Sequence, residues 1–219
     1  MKKEIKRHIR LILGLFISAL GMVMTINANL GVAPWDAFHQ GLAQVTGITL
    51  GTAAISSGFV IIILDIILGQ PIGRGTILNM LLIGTFIDIL MLNHLVPIFE
   101  NFLPSLIMLI LGMFVIGYGI YFYMSAELGS GPRDGLMVIL TKRTGKSVRL
   151  IKGSIEVMVV TIGFIMGGQV GIGTVIFAIF GGIILQYVLK LVKYDVSTAE
   201  HTYIKDDINY IKDKIRGTN

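Results

Sequence analysis

The sequence contains no cysteine and little charge, and each absence excludes classes of protein. Without cysteine there are no disulfides, no thiolate metal sites and no cysteine nucleophile. Charged residues make up 14% of the 219 residues, whereas soluble domains usually carry about 25%. The deficit is concentrated in long apolar runs such as 11–26, 55–68 and 105–124. This distribution argues against a soluble protein.

The apolar runs have the length and composition of membrane-spanning helices. A hydrocarbon core about 30 Å thick requires roughly 20 apolar residues in a helix, and 54% of this chain is hydrophobic. A helix satisfies every backbone N–H and C=O group inside lipid. The 27 glycines are typical of membrane helices that pack closely. The sequence therefore predicts an all-α membrane protein whose main partner is the lipid bilayer.

The formal net charge of +5 does not indicate a nucleic-acid partner. Basic residues concentrate at the beginning of the chain, around 142–152 and at its end, which is typical of membrane topology signals. The sequence has no phosphate-binding loop, no paired nucleophile and base, and no metal-ligand spacing among its histidines. We therefore expect no enzyme activity, no cofactor, no metal and no nucleic acid.

The sequence repeats itself after 98 residues without a gap, as Pro34 and Pro132 illustrate. Leu and Ile pairs match by chance in apolar sequences, so the aligned Gly, Pro, Asp and Thr residues carry the argument. The aligned motifs are LGVAPWD with LGSGPRD (30–36 and 128–134), TG with TG (46–47 and 144–145), and GRGT with GIGT (73–76 and 171–174). We infer a single membrane domain, 1–193, containing two copies at about 10–93 and 108–191.

The short segment in each copy, 35–46 or 133–144, determines the topology. Twelve helical residues rise only about 18 Å, too little to cross a bilayer. Each copy then crosses three times, and the second copy is inverted. With the N-terminus in the cytoplasm every basic residue lies inside, whereas crossing short segments would place Arg74 and Arg133 outside.

This argument predicts six transmembrane helices plus two short helices, arranged as two inverted three-helix repeats with both termini cytoplasmic. The short helices are either re-entrant or lie at the membrane interface. The tail, 194–219, has isoleucines at 204, 208, 211 and 215. This stripe predicts an amphipathic cytoplasmic helix from about residue 200.

Each LGxxPxD motif is typical of a helix start. A proline at the first helical position places Asp36 or Asp134 at the third, where a carboxylate can cap backbone N–H groups. One interpretation is that both aspartates only cap. The other is a transport site, because interrupted helices at matching places in inverted repeats mark such sites. Trp35 also suits a membrane interface. The predicted solute-binding residues are Pro34, Trp35, Asp36, His39, Pro132, Arg133 and Asp134.

Four further polar residues fall within apolar runs: Asp65, Asp88, Glu156 and Gln186. Polar and ionisable groups inside a membrane are costly and often functional. Asp65 and Glu156 are equally compatible with positions near helix ends. Asp88 and Gln186 occupy equivalent positions in the two copies, so we predict a polar contact between them near the repeat axis.

The motif pair LGVAPWD and LGSGPRDGLMVIL is followed in each copy by TG after the short segment and by GxGT at the last apolar segment. This combination resembles the YczE/YyaS/YitT family of bacterial inner-membrane proteins. The YczE branch is the most similar, and the resemblance covers roughly 8–193. It implies a multi-pass protein of the bacterial cytoplasmic membrane. It supplies no substrate.

Two functions from different classes fit these patterns. The first is a small secondary transporter or channel-like carrier of an unidentified small solute, with a central site between the repeats. The second is a non-transporting membrane scaffold or regulator of a partner protein. The inverted duplication favours the first, and either is compatible with a homo-oligomer.

Overall fold

A computed structural model describes residues 2–195 and 199–206, with side chains from Glu4 onward. Throughout this part the chain is helical or irregular, without a strand. The helices are α1 (Lys2–Asn27), α2 (Pro34–Thr46), α3 (Leu50–Leu68), α4 (Arg74–Leu92), α5 (Phe102–Met124), α6 (Pro132–Thr144), α7 (Val148–Ile165) and α8 (Ile172–Leu191). The all-α expectation is confirmed for the described residues.

The helix boundaries follow local signals that recur in both copies. α2 and α6 begin with proline and end before Gly47 and Gly145, which adopt left-handed backbone conformations. The side chain of Thr49 caps α3, and that of Ser147 caps α7. Positive φ angles recur at four equivalent pairs: Asn29 and Glu127, Gly31 and Gly129, Gly47 and Gly145, and Gly69 and Gly167.

Among the described residues, five helices are long and apolar enough to cross a membrane: α1, α3, α4, α5 and α8. The sixth expected crossing, α7, is not in this set because Arg149, Lys152 and Glu156 lie in its first half. α2 and α6 have 13 residues each, or about 20 Å of helix, so they are too short to span. These helices define a multi-pass α-helical membrane protein.

α1 and α5 pack antiparallel at the centre of the fold through small residues. Gly14 lies against Gly119, and Gly21 lies against Gly112. Gly14 is equivalent to Gly112, and Gly21 is equivalent to Gly119. The operation that superposes one copy on the other therefore converts one of these contacts into the other. A Cβ atom at Gly119 would lie 2.8 Å from the Cα atom of Ser18. Such close approach of two helices requires glycine.

We expect Gly119→Ala to destabilise the protein by about 1–3 kcal/mol, because the added methyl group overpacks the α1–α5 contact. The gain in helix propensity, up to about 1 kcal/mol, offsets only part of this cost. Thermal unfolding of purified protein in detergent measures the change. Gly153→Ala is the matched control, since a Cβ at Gly153 meets nothing within 4 Å. Equal melting temperatures for the two variants would contradict this description of the contact.

The two copies also interlock through the segments before α4 and α8. The Gly75 N–H donates to the Leu128 carbonyl oxygen at 2.6 Å, and the Gly173 N–H donates to the Leu30 carbonyl oxygen at 2.6 Å. Each LGxxPxD motif is therefore held by the other copy. These hydrogen bonds between the copies hold the beginnings of α2 and α6 in the interior.

The packing of the two copies differs at equivalent helix pairs. α3 packs along α4, whereas α7 makes no comparable contact with α8. A Cβ at Gly84 in α4 would collide with the Gly51 carbonyl oxygen, but one at the equivalent Gly182 in α8 meets nothing within 4 Å. The first pair is closed and the second is open.

The tail folds back over the bundle. The Thr202 N–H donates to the Glu127 carbonyl oxygen at 2.9 Å, and the Ile204 N–H donates to the Ile72 carbonyl oxygen at 3.0 Å. Residues 199–203 are not helical, and a single helical turn covers 204–206. The predicted amphipathic helix thus does not begin at residue 200, and Ile208, Ile211 and Ile215 lie outside the described residues.

Candidate solute-binding site

The open side of the second copy contains a cavity of about 560 Å³. Its polar lining comes chiefly from Trp35, Tyr123, Arg133, Asp134, Lys152 and Glu156, and the tail contributes His201 and Tyr203. A second cavity of about 170 Å³ lies between α1, α3, α4 and α5, with Ser18 and Asn79 in its wall. Both cavities are lined by Tyr123, Arg133 and Asp134. These three side chains therefore separate two internal spaces.

Arg133, near the beginning of α6, is held by side chains of α2. Its Cζ atom lies 4.7 Å from the centroid of the Trp35 ring, a cation–π arrangement. Its Nη2 atom lies 3.2 Å from Nε2 of His39. Within the described part of the chain, no carboxylate is in salt-bridge contact with this guanidinium. Its positive charge is thus positioned but not neutralised by direct pairing.

The contact with Arg133 determines the tautomer of His39. A guanidinium can only donate hydrogen bonds, so His39 Nε2 accepts and Nδ1 carries the proton. Nδ1 faces Asp36 Oδ1 at 3.7 Å. The Ser57 hydroxyl also lies 2.9 Å from Nε2. Asp36 and His39, both buried, therefore orient Arg133, so α2 of the first copy positions the arginine of the second motif.

The carboxylate of Asp134 is hydrogen-bonded to Tyr123. The Tyr123 hydroxyl donates to Asp134 Oδ2 at 3.0 Å, and the same oxygen lies against Gly131 at the start of α6. Asp134 thus combines a position at the helix start with a contact inside the site. Sequence reasoning missed Tyr123, since its equivalent in the first copy is Thr25 and no motif surrounds it.

The structure brings five of the predicted solute-binding side chains together: Trp35, Asp36, His39, Arg133 and Asp134. Pro34 and Pro132 begin the two short helices, and each lines one of two small cavities related by the repeat. Glu156 lies in the cavity wall, 3.8 Å from Lys152. Lys152 was not predicted, because its equivalent in the first copy is Ala54.

Asp88 and Gln186 lie outside this cluster. Asp88 accepts hydrogen bonds from the Thr49 hydroxyl at 2.5 Å and the Gly51 N–H at 2.8 Å, so it holds the end of α4 to the beginning of α3. Gln186 is exposed on α8. The predicted contact between them was wrong within the described residues, because Asp88 is engaged by its own copy. Asp65 is buried in α3 beside Gly135 of α6.

The tail is fixed over the larger cavity by Arg7, a residue that no motif marks. Arg7 donates to the Ala126 carbonyl oxygen at 2.8 Å, the Glu127 carbonyl oxygen at 2.6 Å and the Thr202 hydroxyl at 3.1 Å. Burial lowers the pKa of the His201 imidazole below its usual value. The ring therefore adds an uncharged polar group at neutral pH.

The fold, with five apolar helices and a polar cluster buried between them, defines a multi-pass membrane protein. The chain belongs to a family of unknown function, DUF6198, whose family model matches residues 5–190.

Three relatives support the assignment. An uncharacterized membrane protein of Bacillus subtilis, YczE, is 39% identical over 190 residues, covering 84% of this chain and 87% of YczE. An uncharacterized protein of Haemophilus influenzae is 32% identical over 182 residues, 83% of each chain. YyaS of Bacillus subtilis, also uncharacterized, is 28% identical over 184 residues, covering 83% of this chain and 91% of YyaS. The resemblance to the YczE and YyaS family is confirmed, and no solved structure matches the chain.

Proposed function

We propose that this protein is a secondary transporter of the bacterial cytoplasmic membrane that binds a small anionic solute at Arg133. The observation that carries the proposal is the guanidinium itself. It lies where two cavities meet, stacked on Trp35 and oriented by His39. A carboxylate or phosphate group is the partner that such a guanidinium binds best, through two parallel hydrogen bonds. We propose no catalytic step and no cofactor.

The charge in the larger cavity supports an anionic solute. Arg133, Lys142 and Lys152 line it together with Asp134 and Glu156. Both carboxylates already have partners, since Asp134 accepts from Tyr123 and Glu156 lies beside Lys152. The beginning of α6 adds the positive end of a helix dipole. The volume, about 560 Å³, is in the range of small-molecule sites.

The contacts between the copies support inverted repeats. An axis that exchanges the two antiparallel helices α1 and α5 runs perpendicular to both. If these helices cross the bilayer, the axis lies in the membrane plane. α2 and α6 then enter from opposite faces and meet at Trp35 and Arg133, as half-length helices do at transporter sites.

The difference between the copies supports alternating access. We name the contact of Thr49 and Gly51 with Asp88 the outer gate, and the equivalent positions Ser147, Arg149 and Gln186 the inner gate. In this structure the outer gate is closed by hydrogen bonds. The ends of α7 and α8 at the inner gate are apart. In our proposal this is the inward-facing state, and exchange of the two arrangements exposes Arg133 to the other side.

The predicted topology is tested by single cysteines, which the cysteine-free sequence makes unambiguous. Asn101, between α4 and α5, lies outside the cell in our topology, whereas Lys146, between α6 and α7, lies inside. In intact cells we expect an impermeant maleimide to label Asn101→Cys and not Lys146→Cys. Permeabilised cells serve as the control, because both variants should then react. Labelling of Lys146→Cys alone in intact cells would contradict the proposed orientation.

The solute is sought by thermal stability of the purified protein. We expect small carboxylates or phosphate compounds to raise the melting temperature, because a ligand that binds only the folded state stabilises it. Organic cations of similar size are the control and should have no effect. The best stabilising anion is then tested for uptake into proteoliposomes. Stabilisation by cations only would contradict the anionic solute, and binding without uptake would favour a regulator over a transporter.

A further inference from the structure

Asp65 is a buried carboxylate that the solute site does not use. Its side chain in α3 is fully buried, with 0% of its surface exposed. Neither carboxylate oxygen has a hydrogen-bond partner among the described residues. The side-chain oxygen of Gln70, also buried, lacks a partner in the same way. Three oxygen atoms that accept hydrogen bonds are therefore enclosed without a donor.

The side chains of Asp65 and Gln70 both approach the same residue of α6, Gly135. A Cβ atom at Gly135 would lie 2.8 Å from Asp65 Oδ2 and 3.4 Å from Gln70 Cγ. Gly135 follows Arg133 and Asp134 by one turn or less on α6. Gln70 also lines the larger cavity, whereas Asp65 is enclosed behind it. The pair is thus adjacent to the solute site, and protons can pass between the cavity and Asp65 by way of Gln70.

Binding of a single proton would remove the uncompensated charge of this cluster and supply a hydrogen-bond donor. An ionised carboxylate without a partner is costly in a low-dielectric interior. Protonation removes the charge and creates one O–H donor. The unpartnered side-chain oxygen of Gln70 is an acceptor on a side chain that also approaches Gly135. A metal cation such as calcium takes six to eight oxygen ligands, whereas the described residues supply three unpartnered oxygens here. The cluster therefore fits a proton better than a metal ion.

No charged group of the neighbouring helices neutralises Asp65. In the described part of the chain, none of them forms a salt bridge or hydrogen bond with its carboxylate. The titratable groups on the helices packed against α3 are Asp36 and His39 on α2, Arg74 and Asp88 on α4, and Arg133, Asp134, Lys142 and Arg143 on α6. Of these, Arg143 contacts α3 at the Leu68 carbonyl oxygen, His39 at Ser57 and Asp88 at Gly51, all away from the Asp65 carboxylate.

The equivalent contact in the repeat, between α7 and α2, contains no carboxylate. The equivalents of Asp65 and Gly135 are Gly163 and Ala37. There a Cβ atom at Gly163 would lie 2.7 Å from the Ala37 carbonyl oxygen, so α7 packs backbone to backbone on α2. At the equivalent contact of α3 with α6, the Asp65 carboxyl group lies in between. A charge on Asp65 therefore acts on the one helix, α6, that carries Arg133.

We propose that Asp65 and Gln70 form a proton-binding site that couples solute movement at Arg133 to proton movement. A hydronium ion in the cavity transfers its proton to the Asp65 carboxylate, leaving a water molecule and a neutral acid that donates to Gln70. Neutral Asp65 permits closer packing of α3 on α6, and ionised Asp65 draws water between them. The coupling rests on the proposed transport, but the proton site does not.

Infrared spectroscopy of the purified protein tests the proton site without any solute. Titration from acidic to alkaline buffer should remove one carbonyl band of a protonated carboxylic acid from a buried environment. The band should be absent in Asp65→Asn at every pH and present in Asp88→Asn, which removes an already hydrogen-bonded carboxylate. If Asp65→Asn does not fold, Gln70→Leu provides the second test, since loss of the acceptor should shift the band. A band that persists in Asp65→Asn would overturn the proposal.

Two further measurements separate the alternatives. The titration is repeated with sodium replaced by a large organic cation. A band that sodium removes at constant pH would overturn the proton site in favour of a sodium site. In proteoliposomes, a pH gradient should accelerate uptake by the wild type and not by Asp65→Asn. A titrating band without any uptake would leave the proton site standing and contradict only the transport function.

Discussion

Arg133→Gln is expected to abolish binding of the anionic solute while the protein remains folded. Removing a buried charge that pairs with a ligand costs about 2 kcal/mol or more, which is at least roughly thirty-fold in Kd. Glutamine retains hydrogen-bonding capacity near His39 but has no positive charge. Arg133→Lys should bind with intermediate affinity, because it retains the charge but loses the planar contact with Trp35 and the paired donors.

The measurement is the change in melting temperature with increasing anion concentration. Trp35 is the single tryptophan of the chain, so its fluorescence reports on the same site. Lys146→Gln is the matched control, since it removes a positive charge from an exposed position between α6 and α7. Wild-type affinity in Arg133→Gln would exclude Arg133 as the binding residue. The search would then move to Lys152 and Lys142 in the cavity wall.

A disulfide across the outer gate is expected to stop transport completely. Thr49 and Asp88 contact each other through their side chains, so the double variant Thr49→Cys, Asp88→Cys should cross-link readily under mild oxidation. The protein would then be locked in the inward-facing state, in which Arg133 does not reach the outer face. Uptake should fall to background after oxidation and recover after reduction, which separates the effect of the cross-link from that of losing Asp88.

The repeat supplies the matched control for this experiment. Ser147→Cys, Gln186→Cys places cysteines at the equivalent positions of the inner gate, where α7 and α8 are apart. This pair should cross-link slowly, and more rapidly under conditions that favour the outward-facing state. Undiminished uptake by a fully cross-linked Thr49–Asp88 pair would contradict alternating access through this gate. Rapid cross-linking of both pairs would contradict the difference between the copies.

The sequence by itself determined the all-helical class, the position of the duplication and the two short helices. These features depend on local chemistry. Proline restricts φ and starts α2 and α6, glycine permits the left-handed turns at Gly47 and Gly145, and the length of an apolar run limits where a helix can cross. Sequence analysis named Trp35 and Arg133 as residues of one candidate site without predicting a contact between them, and the structure shows that contact.

Sequence reasoning was less successful for α7, where Lys152 and Glu156 face a cavity instead of an apolar environment. It was wrong about a contact of Asp88 with Gln186, because a nearer partner, Thr49, satisfies Asp88. A repeat predicts equivalent positions, but it does not predict which of two equivalent contacts is made.

Only the tertiary structure decided which polar groups are paired and which are not. Asp134 accepts a hydrogen bond from Tyr123, and among the residues that the structure describes Arg133 has no carboxylate partner and Asp65 no donor. The closed contact at Gly84 and the open one at Gly182 likewise come from equivalent positions in the two copies. The physical reason is that burial and hydrogen bonding depend on residues far apart in the chain. Two nearly identical helix patterns can therefore pack in two different ways.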